Sequence, residues 1–415
     1  MRTALLTLAL IANPALAATP EQTAQAALKT APVWDGHNDV PEQLRERRKD
    51  LLDGFDFRDT SATADPAKNQ QAMHTDLARL RRGRVGAQFW SVYVSADLPE
   101  PQAVQATLEQ IDVTKRLIAR YPADMQLCTS AAEVEKAWKA GKVASLIGME
   151  GGHSIGGSLG VLRQMYALGA RYMTLTHFNT LAWADAATDA PRHGGLTDFG
   201  RDVVREMQRI GMLVDLSHVS ADTMRDTLEV AKAPVIFSHS GARAINTHPR
   251  NVPDDVLARL KANGGIVMVD FAPDYVSEEV RAWSAAKKAE SARSAAIWIG
   301  DPDALKKADA DWLAAHPAPK ATLAQVADHI DHAVKIAGVD HVGLGGDFDG
   351  VGSLPTGLED VAAYPALFTE LARRGYTRAD LEKIASRNML RVMKAAEAYA
   401  AAHRNDAPIE SPTTF

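Results

Sequence analysis

The sequence predicts an α/β fold, a (β/α)8 TIM barrel with helical insertions. Three observations point there. Eight short β-type runs recur along the chain, and segments of helical periodicity separate most of them. Residues able to carry chemistry stand at the C-terminal ends of many runs. Strands alternating with helices argue for a parallel sheet, and functional residues spread over many strand ends argue for closing it into a barrel. A doubly wound open sheet is the alternative, and it would gather them at one crevice.

In chain order, the first stretch is a leader. "MRTALLTLALIANPALA", residues 1–17, has one positive charge, an apolar run and a small-x-small site at Ala15-Leu16-Ala17. It reads as a removable secretory signal, because the apolar run is shorter than the roughly 20 residues a membrane span needs. The eight runs follow at Val33–Asp39, Val85–Val94, Val143–Glu150, Tyr172–Phe178, Met212–His218, Val235–His239, Gly265–Phe271 and His341–Phe348. Phe199–Ile210 and Asp254–Ala262 are among the helical segments between them. Residues 18–403 are expected to form one barrel domain, with 404–415 an extended tail. Arg45–Ala78 reads as a polar insertion. Ser277–Pro319 reads as a helical insertion on the active side, either a lid or a plain hairpin.

The chain has 415 residues, 46% hydrophobic and 24% charged, enough to bury a large core. Its net charge of −6 is scattered, with no basic run beyond Arg79–Arg84, which argues against nucleic-acid or membrane-surface partners. Cys128 is the only cysteine, so no internal disulfide forms, and an exported protein of this kind suits a periplasm or secretion. No cysteine stands directly after the cleavage site and no apolar tail ends the chain, so no stable membrane anchor is expected. "GGHSIGGSLG" is glycine-rich but lacks the order of a phosphate loop.

The run ends carry His37, Asp39, Glu150, His177, His218, His239 and Asp347. Imidazoles and carboxylates are the ligands of Zn²⁺ and similar ions. Residues i and i+2 of a strand share a face, so His37 and Asp39 can reach one ion together. The set exceeds what one ion needs, which points to a two-metal site of the metal-dependent hydrolase type with a bridging carboxylate. Glu150 is the best bridge, since Gly151 and Gly152 after it let the backbone approach a crowded centre. His218 and His239 would complete the second ion. His329 and His332, at i and i+3 of a helical pattern, lack a carboxylate-rich partner strand.

Here the sequence resembles the membrane (renal-type) dipeptidase family, peptidase family M19, and its bacterial secreted members. "DGHNDVP", "GMEGGHSI", "LTLTHFNTLAWADA", "GLTDFGRDVVREMQRIGMLVDLSHVS", "PVIFSHS", "RNVPDDVL", "GGIVMVDF" and "VGLGGDFDGV" carry the likeness, from about residue 33 to 395. The resemblance implies two zinc ions per chain and hydrolysis of dipeptides, including those ending in a D-residue. It implies His37 and Asp39 on the first zinc, His218 and His239 on the second, and Glu150 between them. By the same likeness His177 contacts the scissile carbonyl, Arg250 holds the substrate carboxylate, Asp347 shuttles protons and Tyr275 faces the substrate. The family often forms homodimers. The Ser277–Pro319 stretch is longer than the family's usual connection.

These roles agree with elementary chemistry. A water bridging two metals becomes a hydroxide nucleophile near neutral pH. His177 could donate to the oxyanion, Asp347 could act as base and then acid, and the planar fork of Arg250 suits a carboxylate. Asp349 competes with Asp347 as the acid. Another binuclear amidohydrolase, acting on cyclic amides, lactones or phosphotriesters, is a rival reading, and a two-lobed periplasmic binding protein is a third.

Overall fold

The computed structural model describes residues 18–68 and 70–413, so the leader read at 1–17 lies outside the described residues. Among the described residues, nine strands form one parallel sheet. They are β1 Val33–Asn38, β2 Val85–Tyr93, β3 Met125–Leu127, β4 Val143–Glu150, β5 Ala170–Thr174, β6 Leu213–Asp215, β7 Ile236–Phe237, β8 Ile266–Val269 and β9 Val342–Leu344. The order is β2-β1-β9-β8-β7-β6-β5-β4, and a further β2–β4 pairing closes the ring into the expected barrel. Among the described residues, no helix is long and apolar enough to cross a membrane.

β3 was not expected. It pairs with β4 at Val143–Ser145, below the stretch where β5 pairs with Ile147–Glu150. Three residues are too few for an alternation to stand out. The runs of the second half are also shorter than read. The ladder stops two or three residues before His177, His218, His239 and Asp347. His218 (φ 68°) and Asp347 (φ 53°) are left-handed, a conformation no strand contains. The sequence pattern continues through them because they are buried, but their backbone has already turned.

Alternation along the strands sorts two cores. Trp34, Phe89, Leu146, Tyr172, Ile236 and Met268 fill the barrel. Their neighbours Val33, Trp90, Ile147, Met173, Phe237 and Val267 face the helices. Each fully buried apolar side chain contributes roughly 1.5–3 kcal/mol. Along β4 the inward parity of Ala144 and Leu146 runs on through Gly148 to Glu150, which brings that carboxylate to the barrel mouth. On β1 the same parity would turn His37 outward. A register irregularity between Asp35 and Asn38 re-aims it.

The helices follow their local signals. Thr197 caps the Asp198–Ile210 helix by accepting from the Gly200 N–H, and Gly211 ends it at φ 87°. Phe199, Val203, Val204 and Met207 form its buried face. The insertion at 277–319 is a pair of helices, Glu278–Ile297 and Pro302–Ala315, capped by Ser277 and Asp301. The Trp283 and Trp312 rings lie 5.8 Å apart across the pair. The segment 45–78 is less polar in place than its composition, since Phe55, Phe57 and Met73 are buried. After a turn at 403–405, residues 407–413 form no helix or strand, and the Ile409 N–H is held by Glu206 at 3.2 Å.

Candidate metal centre

The candidate residues meet at the C-terminal mouth of the barrel, around a cavity of about 300 Å³. Asp39, Glu150, His177, His218, His239, Arg250, Tyr275 and Asp347 line it. His37 lies just beneath, its Nε2 3.3 Å from Asp39 Oδ2 and 3.3 Å from Glu150 Oε2. The other Glu150 oxygen turns the opposite way. Oε1 is 3.0 Å from His218 Nε2, 3.4 Å from His239 Nε2 and 3.7 Å from His177 Nε2. Ser91 Oγ donates to Oε2 at 3.1 Å and steadies the carboxylate. One carboxylate therefore spans two sets of ligand-type groups.

The site has the marks of a place built for cations. Both carboxylate oxygens of Asp39 are buried with no hydrogen-bond partner, and so is His218 Nδ1. His218 Nε2 and His239 Nε2 approach to 3.0 Å. Leaving such groups unsatisfied is costly, and a divalent ion is what imidazole and carboxylate donors in this number suit. Donor atoms converge in three groups: His37, Glu150 and His239; Glu150, His177 and His218; and His37, Asp39 and Asp347.

Supporting contacts orient the imidazoles. His37 Nδ1 is 2.9 Å from the Tyr172 hydroxyl, so with its proton on Nδ1 the ring donates there and turns Nε2 to the site. His239 Nδ1 is 2.8 Å from Ser238 Oγ, which donates to Asp215 Oδ2 at 2.6 Å. Tyr172→Phe keeps the barrel filler and removes one hydroxyl. It should weaken metal affinity by roughly 10–100-fold, read by competition with a chromogenic chelator, with thermal unfolding little changed. Equal affinity would remove Tyr172 from the orientation of His37.

Charge states follow from burial and neighbours. Burial opposes charge on His37, yet the Glu150 carboxylate beside it raises its pKa well above the usual range. Glu150 responds in kind: burial opposes it, but His37 and His177 hold it well below. Burial lowers His177 to about 4, leaving a neutral imidazole at neutral pH with one N–H to donate. Burial, with Asp270 and Asp39 nearby, raises Asp347 well above the carboxylate range.

Arg250 is fully buried. Nη1 donates to Ser240 Oγ and Nη2 to the His239 carbonyl, both at 3.1 Å, while Nε finds no partner. Its guanidinium lies 5.2 Å from the Tyr275 ring centroid. The rival acid Asp349 points elsewhere, its Oδ1 accepting the His74 N–H at 2.7 Å outside the cavity lining. At Gly350 a Cβ would come within 2.4 Å of both Asp347 Oδ1 and Asp39 Oδ2, so only glycine lets these acids converge. The space kept by Gly151 (φ 105°) is different from that expected. A Cβ there would strike the His153 ring at 2.3 Å.

Other histidines have separate duties. His153 Nε2 meets the Val94 carbonyl. His329 bridges the Ala242 N–H and the Val276 carbonyl, and His332 pairs with Asp254. No residue of 277–319 lines the cavity; the first helix of the pair walls a neighbouring cleft through Val280, Trp283 and Ser284.

The structure adds residues that the sequence reading passed over. Asp270, buried after β8, accepts the Ala272 N–H at 2.7 Å and leaves Oδ2 unpartnered. It ends a strand run as the other acids do, and that signal could have found it. Tyr93, the last residue of β2, lines the cavity with its ring 4.6 Å from His177. Glu42, in the first turn of the Val40–Arg48 helix, lines it too. Burial, then the Asp39 and Glu150 carboxylates, pushes Glu42 up to about 9.

A parallel (β/α)8 barrel whose mouth gathers buried imidazoles and carboxylates defines the class of metal-dependent hydrolases. The family model described as membrane dipeptidase (peptidase family M19) matches residues 21–407. The chain belongs to that family and is a metallopeptidase of dipeptidase type. Among solved structures it is similar to the probable dipeptidase PvdM from Pseudomonas aeruginosa, at 22% identity and TM-score 0.77, covering 92% of this chain and 99% of that one. It is similar to a metallo peptidase from Rhodobacter sphaeroides liganded with a phosphinate mimic of L-Ala-D-Ala, at 23% identity and TM-score 0.70, covering 88% and 99%. A third is the dipeptidase AC, a metallo peptidase of family M19, at 25% identity and TM-score 0.69, covering 88% and 99%.

Proposed function

We propose that this chain is an exported zinc dipeptidase with two ions per molecule. His37 and Asp39 would hold one ion, His218 and His239 the other, and Glu150 would join them. The observation that carries this reading is the division of Glu150, with Oε2 toward His37 and Oε1 toward His218 and His239. Bound there, the ions supply Lewis acidity toward a peptide carbonyl and lower the pKa of water.

The chain's own residues do the rest. Arg250, with Nε free, takes the C-terminal carboxylate of the substrate, which selects short peptides over long chains. Tyr275 braces the guanidinium and bounds the C-terminal side chain. His177, neutral at working pH, donates its N–H to the oxyanion of the tetrahedral intermediate. Asp347 accepts the proton of the attacking water and delivers it to the leaving amine. The cavity of about 300 Å³ suits a dipeptide. Acceptance of a C-terminal D-residue is part of the proposal, and the Rhodobacter sphaeroides relative liganded with an L-Ala-D-Ala mimic supports it.

The test is metal removal. Chelator-stripped protein should lose hydrolysis of L-Ala-L-Ala and L-Ala-D-Ala and regain it on addition of Zn²⁺. Turnover by protein that elemental analysis shows free of metal would sink the proposal.

A further inference from the structure

Glu42 has no assigned work. It is half-buried on the cavity wall, and burial with Asp39, Glu150 and Glu46 outweighs His37, the one cation among the groups that bear most on its charge state. Three of the charged groups that act on it, Asp39, Glu150 and Glu46, are acidic, and the fourth, His37, is itself one of the candidate metal ligands. An acid among acids is held in its neutral form there, and a cation brought beside it restores the carboxylate. The remaining cavity acids stand elsewhere on the wall, although Asp274 Oδ1 is also unpartnered. Asp39, Glu150 and Asp347 converge with the histidines, and Asp274 adjoins Tyr275, whose ring carries Arg250. With ions bound, the charges of Asp39 and Glu150 would be offset, but the wall at Glu42 would still lack a cation of its own.

Position says where that cation comes from. Arg250 follows β7, which stands opposite β2 in the ring. Glu42 follows β1, and Tyr93 ends β2. If Arg250 grips the substrate's C-terminus and the histidine cluster faces the scissile bond, the N-terminal residue reaches the β1–β2 wall. This step rests on the proposed function. We propose that Glu42 is a specificity-determining residue that makes the enzyme prefer dipeptides with a cationic N-terminal side chain, lysine or arginine. Tyr93 supplies an aromatic face beside it for the alkyl stem or the guanidinium.

The experiment compares Lys-Ala, Arg-Ala, norleucyl-Ala and Glu-Ala with the zinc-loaded enzyme. Norleucine keeps the stem and the α-ammonium and lacks only the side-chain charge. The ratio of kcat/KM for Lys-Ala over norleucyl-Ala should be about tenfold or more. In Glu42→Gln the ratio should fall toward one, and in Glu42→Lys Glu-Ala should overtake Lys-Ala. Calorimetry with lysyl and norleucyl phosphinate mimics should show the same preference without turnover. A parent enzyme that cleaves norleucyl-Ala and Lys-Ala equally overturns this inference and leaves the dipeptidase reading standing. An equal loss on both substrates in Glu42→Gln also overturns it, because Glu42 would then hold the α-ammonium or shape the wall. A parent enzyme that cleaves no dipeptide removes the proposed function and this inference with it. The parent's own ratio decides the matter if a variant fails to fold.

Discussion

Glu150→Gln should empty both metal positions together and abolish dipeptide hydrolysis while the barrel stays folded. The substitution keeps shape and removes charge at a buried carboxylate that faces His37 on one side and His218 and His239 on the other. Breaking one partner of a buried charged set costs on the order of 3–5 kcal/mol. That corresponds to a loss of affinity of roughly 10²–10⁴-fold. Metal content of dialysed protein, measured by elemental analysis, should fall at both positions. Loss at one position alone would mean that the two ligand sets are held independently and that Glu150 does not bridge them. Far-ultraviolet circular dichroism guards against simple unfolding.

Asp347→Asn should leave metal content intact and lower kcat by about 10²–10⁴-fold, the range for loss of a general acid–base group. Burial and the nearby acids raise the Asp347 pKa, so the carboxylate form needed to accept a proton fills as pH rises. Parent activity should therefore climb with pH on the acid side, and the asparagine variant should lose that limb. Asp349→Asn is the contrast. Asp349 spends Oδ1 on the His74 N–H and stands off the cavity, so its change should disturb stability more than kcat. If Asp349→Asn carried the larger kinetic loss, the assignment of the acid would be reversed.

The barrel was legible because its strands read as buried apolar runs and its helices as amphipathic ones. β4 matched its run end to end, since an unbroken eight-residue ladder leaves a clear pattern. The later strands were overread by several residues, because burial continues into the loops after hydrogen bonding has stopped. The site was legible where chemistry is concentrated in residue type. His37, Asp39, Glu150, His218 and His239 are all drawn to one cluster. What the pattern could not reveal was orientation. His37 faces the mouth through a register irregularity, and the His-x-Asp spacing alone would not have turned it there. Tyr93 and Glu42 escaped notice because an aromatic at a strand end and an acid in a first helical turn are ordinary in any fold. Asp270 escaped although its position followed the rule that found Asp347.

The left-handed backbone at His218 and Asp347 bears on how this protein would respond to selection. Each non-glycine residue in that conformation forgoes roughly 1–2 kcal/mol. Glycine would recover most of it against about 0.5–1 kcal/mol of added chain entropy. A laboratory lineage screened only for survival at high temperature would therefore drift toward glycine at both positions. It would lose the imidazole and the carboxylate on which the proposed mechanism depends, so any programme to toughen this enzyme has to score turnover in every round.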